Sequence, residues 1–255
     1  MTGQADNKRS DASPESLIDT WREWGLALTA RPRVIERIHT GRTNRNYHLS
    51  APGLSEQLLL RINHPASQRL GIDREREREI LALTSDAGIA RPFRYWDPDQ
   101  RFVVFPYLAG RHWSQADLDD ADQRARLWPL VERLHDIAPN WPRRSYHAYL
   151  RHYWQQLDRA GRVDRALRQA WASFEPRLLS FDQSDWSARL VHHDMIPDNI
   201  LETDSGLFLI DWEYAAPGHP DIDVWTVHPP AVREPFVAEM MDWVNGLWER
   251  LIPIS

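Results

Sequence analysis

One stretch, residues 190–225 (LVHHDMIPDNILETDSGLFLIDWEYAAPGHPDIDVW), limits what this chain can fold into more than any other. In it, His192, Asp194 and Asn199 form a His-x-Asp-x4-Asn unit, and a second acid, Asp211, stands at the end of an apolar run. Residues 200–202 and 207–210 read as two short strands, joined by the turn-forming triplet Asp204-Ser205-Gly206. A hairpin returns the chain to its starting level. The spacing therefore predicts that Asp211 emerges beside Asn199.

An acid, an amide and a second acid gathered in this way suit phosphoryl transfer. Moving a phosphoryl group from ATP to an alcohol needs a carboxylate to accept the hydroxyl proton and oxygen ligands to hold Mg2+ against the phosphates. Asp194 is placed for the first task, and Asn199 and Asp211 for the second. His192 belongs to the same catalytic loop, where a ring hydrogen-bonded to nearby backbone is preferred over a proton carrier. His193 faces solvent or the substrate cleft, and Asp198 reads as a solvated loop carboxylate. A His-His-Asp zinc triad is disfavoured, because adjacent residues of an extended chain point to opposite faces.

These residues, together with the run Ile210-Asp211-Trp212-Glu213-Tyr214-Ala215, resemble the catalytic core of the aminoglycoside phosphotransferase and choline kinase family. The run is more like the choline, ethanolamine and thiamine kinase branch than the antibiotic-modifying one. The resemblance implies an α+β, two-lobed protein-kinase-like fold, with a small antiparallel-sheet N-lobe, a mainly helical C-lobe, and ATP and Mg2+ as cofactors. It also implies that Asp223, after Gly218-His219-Pro220, braces the catalytic loop; a helix N-cap is the alternative.

Taken in order, residues 1–12 are polar and without periodicity and read as a disordered leader. Ser13-Pro14-Glu15 starts a helix, with Leu17, Trp21, Trp24 and Leu28 following at helical spacing. Residues 34–39, 47–49 and 58–62 read as strands. The loop after the first holds Gly41, Thr43, Asn44 and Asn46. It has a single glycine and by itself reads as a hairpin turn; the resemblance makes it the cover over the ATP phosphates. Arg61 stands where the fold usually puts a phosphate-binding lysine, and a planar guanidinium also grips phosphate. The charged run over 72–87 reads as a helix; the resemblance implies that one of its glutamates pairs with Arg61, and counted back from Gly88 Glu77 fits the family spacing best and Glu79 second, the other charges forming a solvated face. Residues 103–110 look like the hinge, with adenine contacts near Phe105 and Leu108, since Pro106 offers only a carbonyl. The N-lobe is then 13–106 and the C-lobe 107–255. Beyond it, Leu127, Leu130, Val131 and Leu134 form an apolar stripe followed by a buried His135. Residues 146–157, 163–179 and 230–251 read as helices, the last carrying Trp243 and Trp248.

Composition acts by exclusion. A net charge of −6 gives no general attraction to nucleic acid, and the lack of cysteine rules out disulfides, thiol catalysis and cysteine-held zinc. No apolar run approaches a membrane span and the polar start lacks a signal-peptide core, so a soluble cytoplasmic protein without a membrane partner is expected. The expected function is ATP- and Mg2+-dependent transfer to the hydroxyl of a small cationic alcohol of choline, ethanolamine or thiamine type. Trp212, Glu213 and Tyr214 follow the metal ligand directly, and a carboxylate with aromatic rings holds a cation well. The other reading packs Trp212 and Tyr214 under the loop and places Glu213 on a backbone amide or a basic side chain. An aminoglycoside O-phosphotransferase ranks lower, because the short C-terminus leaves less room for a helical subdomain. A silent nucleotide-binding module is the remaining alternative; the arginine at position 61 and the glycine-poor loop are the two departures that favour it.

Overall fold

The computed structural model describes residues 13–38 and 43–252. The leader expected over 1–12, and Gly41, lie outside the described residues. After a short helix α1 (Pro14–Ile18) come strands β1 (Val34–Ile38), β2 (Arg45–Leu49) and β3 (Leu58–Ile62), helix α2 (Arg74–Asp86), and strands β4 (Tyr95–Trp96) and β5 (Phe102–Pro106). The strands form one antiparallel sheet in the order β1-β2-β3-β5-β4. Side chains alternate across it. Leu58, Leu60 and Ile62 are therefore buried on one face with Leu49, Phe102 and Val104, while Leu59 and Arg61 face the cleft on the other. In register, Arg61 lies opposite Asn46 on β2 and Val103 on β5.

The amino-terminal helix is shorter than its apolar spacing suggests. Ser13 caps it by accepting from the Ser16 amide at 3.2 Å, but the helix ends at Ile18 and a 3-10 turn follows over Trp21–Trp24. The Thr20 hydroxyl competes for the helix end, donating to the Leu17 carbonyl at 2.8 Å and accepting from Trp24 Nε1 at 3.2 Å. Gly25, at φ 68°, then turns the chain away. Leu17, Ile18, Trp24 and Leu28 all still cover the apolar face of the sheet.

The second lobe holds β6 (Arg111–His112), α3 (Gln115–Asp119), α4 (Ala121–Asp136), α5 (Tyr146–Arg159), α6 (Arg165–Gln183), β7 (Arg189–Val191), β8 (Ile200–Thr203), β9 (Gly206–Leu209), β10 (Ala216–Gly218), α7 (Asp221–Val227) and α8 (Pro235–Leu251). Strands β6, β8 and β9 make one small antiparallel sheet, and β7 pairs with β10. The apolar stripe of α4 is buried as the spacing predicts. Helix α8 starts later than expected, because Pro229 and Pro230 open a 3-10 turn (Pro229–Ala231) and Glu234 caps the helix behind it. Several tryptophans serve the core: Trp154 stacks on Trp171 at 4.7 Å, and Trp243 meets Trp171 edge-on at 5.5 Å. Among the described residues no helix is long and apolar enough to cross a membrane.

Helix α2 begins after Asp73, whose carboxylate accepts from the Arg76 amide at 3.1 Å. The connector leading to it is anchored in the other lobe. Leu70 and Ile72 are buried in the helical core, Tyr153 Oη donates to the Leu70 carbonyl at 2.7 Å, and Gln156 Nε2 donates to that of Arg69 at 2.7 Å. Gly71, at φ 73°, lies so near Tyr149 that a Cβ there would stand 2.8 Å from the ring. Leu70→Ala removes a fully buried side chain with little room to collapse, and should lower the unfolding free energy by about 2–5 kcal/mol in urea titration. A loss of under ~0.5 kcal/mol, the size of an ordinary surface change, would show that the connector is not anchored there.

Candidate active site

The hairpin of β8 and β9 pairs Ile200 with Leu209, and the Ile210 amide donates to the Asn199 carbonyl at 3.0 Å. Asp211 thus emerges next to Asn199. Its backbone is left-handed, φ 62°, as is that of His193 at φ 64°. Such values cost non-glycine residues free energy, and the surroundings must hold them in place.

Asp223 supplies much of that hold. It is fully buried in the first turn of α7 and does not cap that helix. Its carboxylate accepts from the backbone N–H of His192 and of His193, both at 3.0 Å, and from His135 Nε2 at 3.1 Å. His192 lies beneath the cleft. Its Nε2 donates to the Ile210 carbonyl at 3.0 Å, its ring rests 4.7 Å from that of Trp212, and burial lowers its pKa, which favours a neutral ring. It fixes the residue before Asp211. His193 is hydrogen-bonded through Nε2 to Tyr146 Oη at 3.0 Å, and Asp198 is exposed.

Four polar side chains converge above this floor. Asn199 Nδ2 donates to the Asp194 carbonyl at 2.8 Å and to its carboxylate at 2.9 Å, which leaves the amide oxygen for another partner. Asp211 Oδ1 is buried without a hydrogen-bond partner among the described residues and stands 3.8 Å from Arg61 Nη1. Burial, then the neighbouring Glu213, pushes the Asp194 carboxyl up to about 7, with Asn199 opposing. Asp211 is driven well above the carboxylate range by burial and Glu213, against the pull of Arg61. Arg61 pairs with Glu77 at 2.5 Å and donates to Asn63 at 3.2 Å; its Nη2 has no partner among the described residues. Burial disfavours its charge, but Glu77 and Asp211 outweigh that and hold its pKa above the ordinary value. Glu79 is exposed on the far side of α2.

The donor set fits Mg2+. A desolvated carboxylate oxygen lacking a donor and an amide oxygen are hard ligands, and Mg2+ takes one or two such groups with phosphates and water completing its shell. Among the described residues no group of three or more His, Cys, Asp or Glu forms a self-sufficient metal site.

The cleft measures about 840 Å3 and runs from the hinge, where Phe105, Tyr107 and Leu108 line it, past Thr43, Asn44 and Asn46 to a far wall of Tyr149, Tyr214, Trp248 and Glu249. Trp212 contributes little there: its indole is 2% exposed and donates to the Leu209 carbonyl at 3.1 Å. Glu213 is 4% exposed, ion-pairs with Arg74 at 3.1 Å, and accepts from Thr43 Oγ1 and Asn44 Nδ2, both at 2.8 Å. Tyr214 accepts from Trp248 Nε1 at 3.0 Å. Of the four residues expected to hold the substrate, Asp194, Trp212, Glu213 and Tyr214, the buried Trp212 and the Arg74-paired Glu213 are arranged as in the other reading. Sequence reasoning missed Arg74, Tyr149 and Glu249. The only available signal was helical phase, which puts Arg74 with Glu77 and Asn245 with Trp248 and Glu249 on common faces.

The model of the phosphotransferase enzyme family matches residues 34–253. The chain belongs to this family. The solved structure of the choline kinase LicA from Streptococcus pneumoniae resembles it with a TM-score of 0.64 at 18% identity, covering 93% of this chain and 90% of that one. This shows a shared fold, the α+β two-lobed one expected from sequence. A LicA homolog of Mycoplasma capricolum is 25% identical over 120 residues, 47% of either chain. A thiamine kinase of Salmonella paratyphi B is 36% identical over 104 residues, 40% of this chain and 34% of that one. The chain thus matches less than half the length of these curated phosphotransferase relatives.

Two stability measurements probe this geometry. Asp223→Ala strands two buried backbone donors and should cost about 2–5 kcal/mol of unfolding free energy. For Asp194, the folded pKa of about 7 lies above the ordinary 3.8, so the folded state binds more protons between those values and stability falls as pH rises through that window. Asp194→Asn lacks this loss. In chelator, its stability advantage over the parent should grow from pH 4 to pH 7 and then level off; an advantage independent of pH would show that the carboxyl is not perturbed.

Proposed function

We propose that the protein is a small-molecule kinase, which transfers the γ-phosphoryl group of ATP to the hydroxyl of a small cationic alcohol of choline, ethanolamine or thiamine type. The observation that carries the reading is the convergence of Asp194, Asn199, Asp211 and Arg61 on one cleft, with Arg61 Nη2 and Asp211 Oδ1 buried and, among the described residues, unpartnered. Buried polar atoms without partners are costly, and a bound nucleotide and its metal would relieve the cost.

Asn199 and Asp211 would hold Mg2+, which when bound neutralises phosphate oxygens. Arg61, kept charged by Glu77, offers its remaining N–H groups to phosphate. Asp194 faces the acceptor. Its carboxyl orients the hydroxyl and takes its proton, while the raised pKa keeps it a competent base near neutrality. Most of the rate then comes from positioning and charge neutralisation.

The acceptor reading rests on the far wall. Tyr149, Tyr214 and Trp248 present rings and Glu249 a carboxylate, the combination that complements a quaternary or aromatic cation. Choline and thiamine, named for two of the similar proteins, both fit that description. The net charge of −6 agrees with an acceptor other than nucleic acid, and use of ATP agrees with a cytoplasmic setting.

The test is ADP release with Mg2+ and ATP across thiamine, choline, ethanolamine and kanamycin. One cationic alcohol should stimulate release, and Asp211→Ala should abolish it. Asp194→Ala should lower kcat about 100-fold or more with the ATP KM changed little. Near-normal turnover in that variant would overturn the assignment of Asp194, and ATP binding without turnover on any acceptor would favour a silent module.

A further inference from the structure

Glu213 lies two residues beyond Asp211, yet each of its oxygens is committed to the other lobe. Oε1 accepts from Thr43 Oγ1, and Oε2 from Asn44 Nδ2 while pairing with Arg74 Nη1. Thr43 and Asn44 end the loop that leads into β2. The Asn44 Oδ1 is itself engaged twice: it accepts from the His64 amide at 3.2 Å and from Arg74 Nη2 at 3.3 Å. Arg74 Nη1 also reaches Glu77 at 2.6 Å, the glutamate that holds Arg61. A continuous buried chain of contacts therefore joins the segment after Asp211 to the start of β2, to α2 and to Arg61.

From this we infer that Glu213 is a positioning residue, an interlobe latch that sets the Thr43-Asn44 segment and Arg61 at a fixed distance from Asp211. It touches neither acceptor nor metal. This rests on the kinase reading above, because its consequence is felt by the nucleotide. With the latch closed, the groups that meet phosphate from the sheet lobe and those that hold the metal from the helical lobe are in register before ATP arrives, and nucleotide binding does not have to order them.

Glu213→Gln keeps the side chain's shape but removes the charge that pairs with Arg74 and leaves one oxygen where three donors, Thr43 Oγ1, Asn44 Nδ2 and Arg74 Nη1, met two. Arg74 retains Glu77 and Ser67, so the change does not leave its charge bare. Calorimetry with MgATP on the full chain should show at least a roughly tenfold weaker Kd in Glu213→Gln, with the acceptor KM within about twofold of the parent. Asn44→Ala should weaken MgATP in the same way, and the double variant should be no worse than Glu213→Gln alone, as expected for two residues of one unit. Thermal unfolding of each variant separates a local loss from global instability, and Asn44→Ala carries the test if Glu213→Gln does not fold. A raised acceptor KM with unchanged MgATP affinity would make Glu213 an acceptor ligand, and recovery of affinity at high Mg2+ would make it a metal ligand; either overturns the latch. Equal MgATP binding by the parent and Glu213→Gln overturns the latch alone, whereas a parent that binds no MgATP overturns the kinase reading with it.

Discussion

Two arginines, Arg61 and Arg74, share the buried carboxylate of Glu77, and much else at the cleft depends on that sharing. Neither an arginine nor a glutamate is stable out of water alone, so each charge here needs the others. Around the two cations stand four carboxylates, those of Glu77, Glu213, Asp211 and Asp194. The cluster is short of positive charge by two. Burial, and after it the Glu213 carboxylate, raises the Asp194 and Asp211 carboxyls, and a divalent cation would offset both.

Around this cluster the backbone is held in costly shapes by a few polar contacts. His193 and Asp211 both occupy left-handed conformations. Asp223 grips the first through two N–H groups, and His192 steadies the second through the carbonyl of Ile210. The two conserve geometry from opposite sides of the floor, with Trp212 packed between the small sheet and His192.

What could be read from sequence follows from how local each feature is. The metal hairpin was legible because a turn triplet and a short strand spacing determine where Asp211 lands. Glu77 was legible through the spacing that the family resemblance implies, counted back from Gly88. Arg74 was hidden in a run of alternating charges, where its phase matters only once the partners across the lobes are known. The early stop of α1 turns on the Thr20 hydroxyl, a single competing acceptor and donor that apolar spacing cannot register. Tyr149 and Glu249 come from helices far apart in the chain, and only the packing of α5 on α8 brings them to one wall. Between the two readings of Trp212 the sequence offered no choice, because whether its indole enters the cleft or packs beneath it depends on the Leu209 carbonyl and the His192 ring it meets in the fold.

The anchored connector before α2 bears on how such an enzyme could be controlled. In a two-lobed enzyme the helix carrying the glutamate partner of the phosphate-binding cation is a natural place for an on-off device, since swinging it outward breaks the pair. Here Leu70 and Ile72 fasten the approach to that helix into the helical core, and Gly71 leaves no slack against Tyr149. Swinging the helix outward would therefore require pulling Leu70 and Ile72 out of the helical core, where they are 0% and 4% exposed.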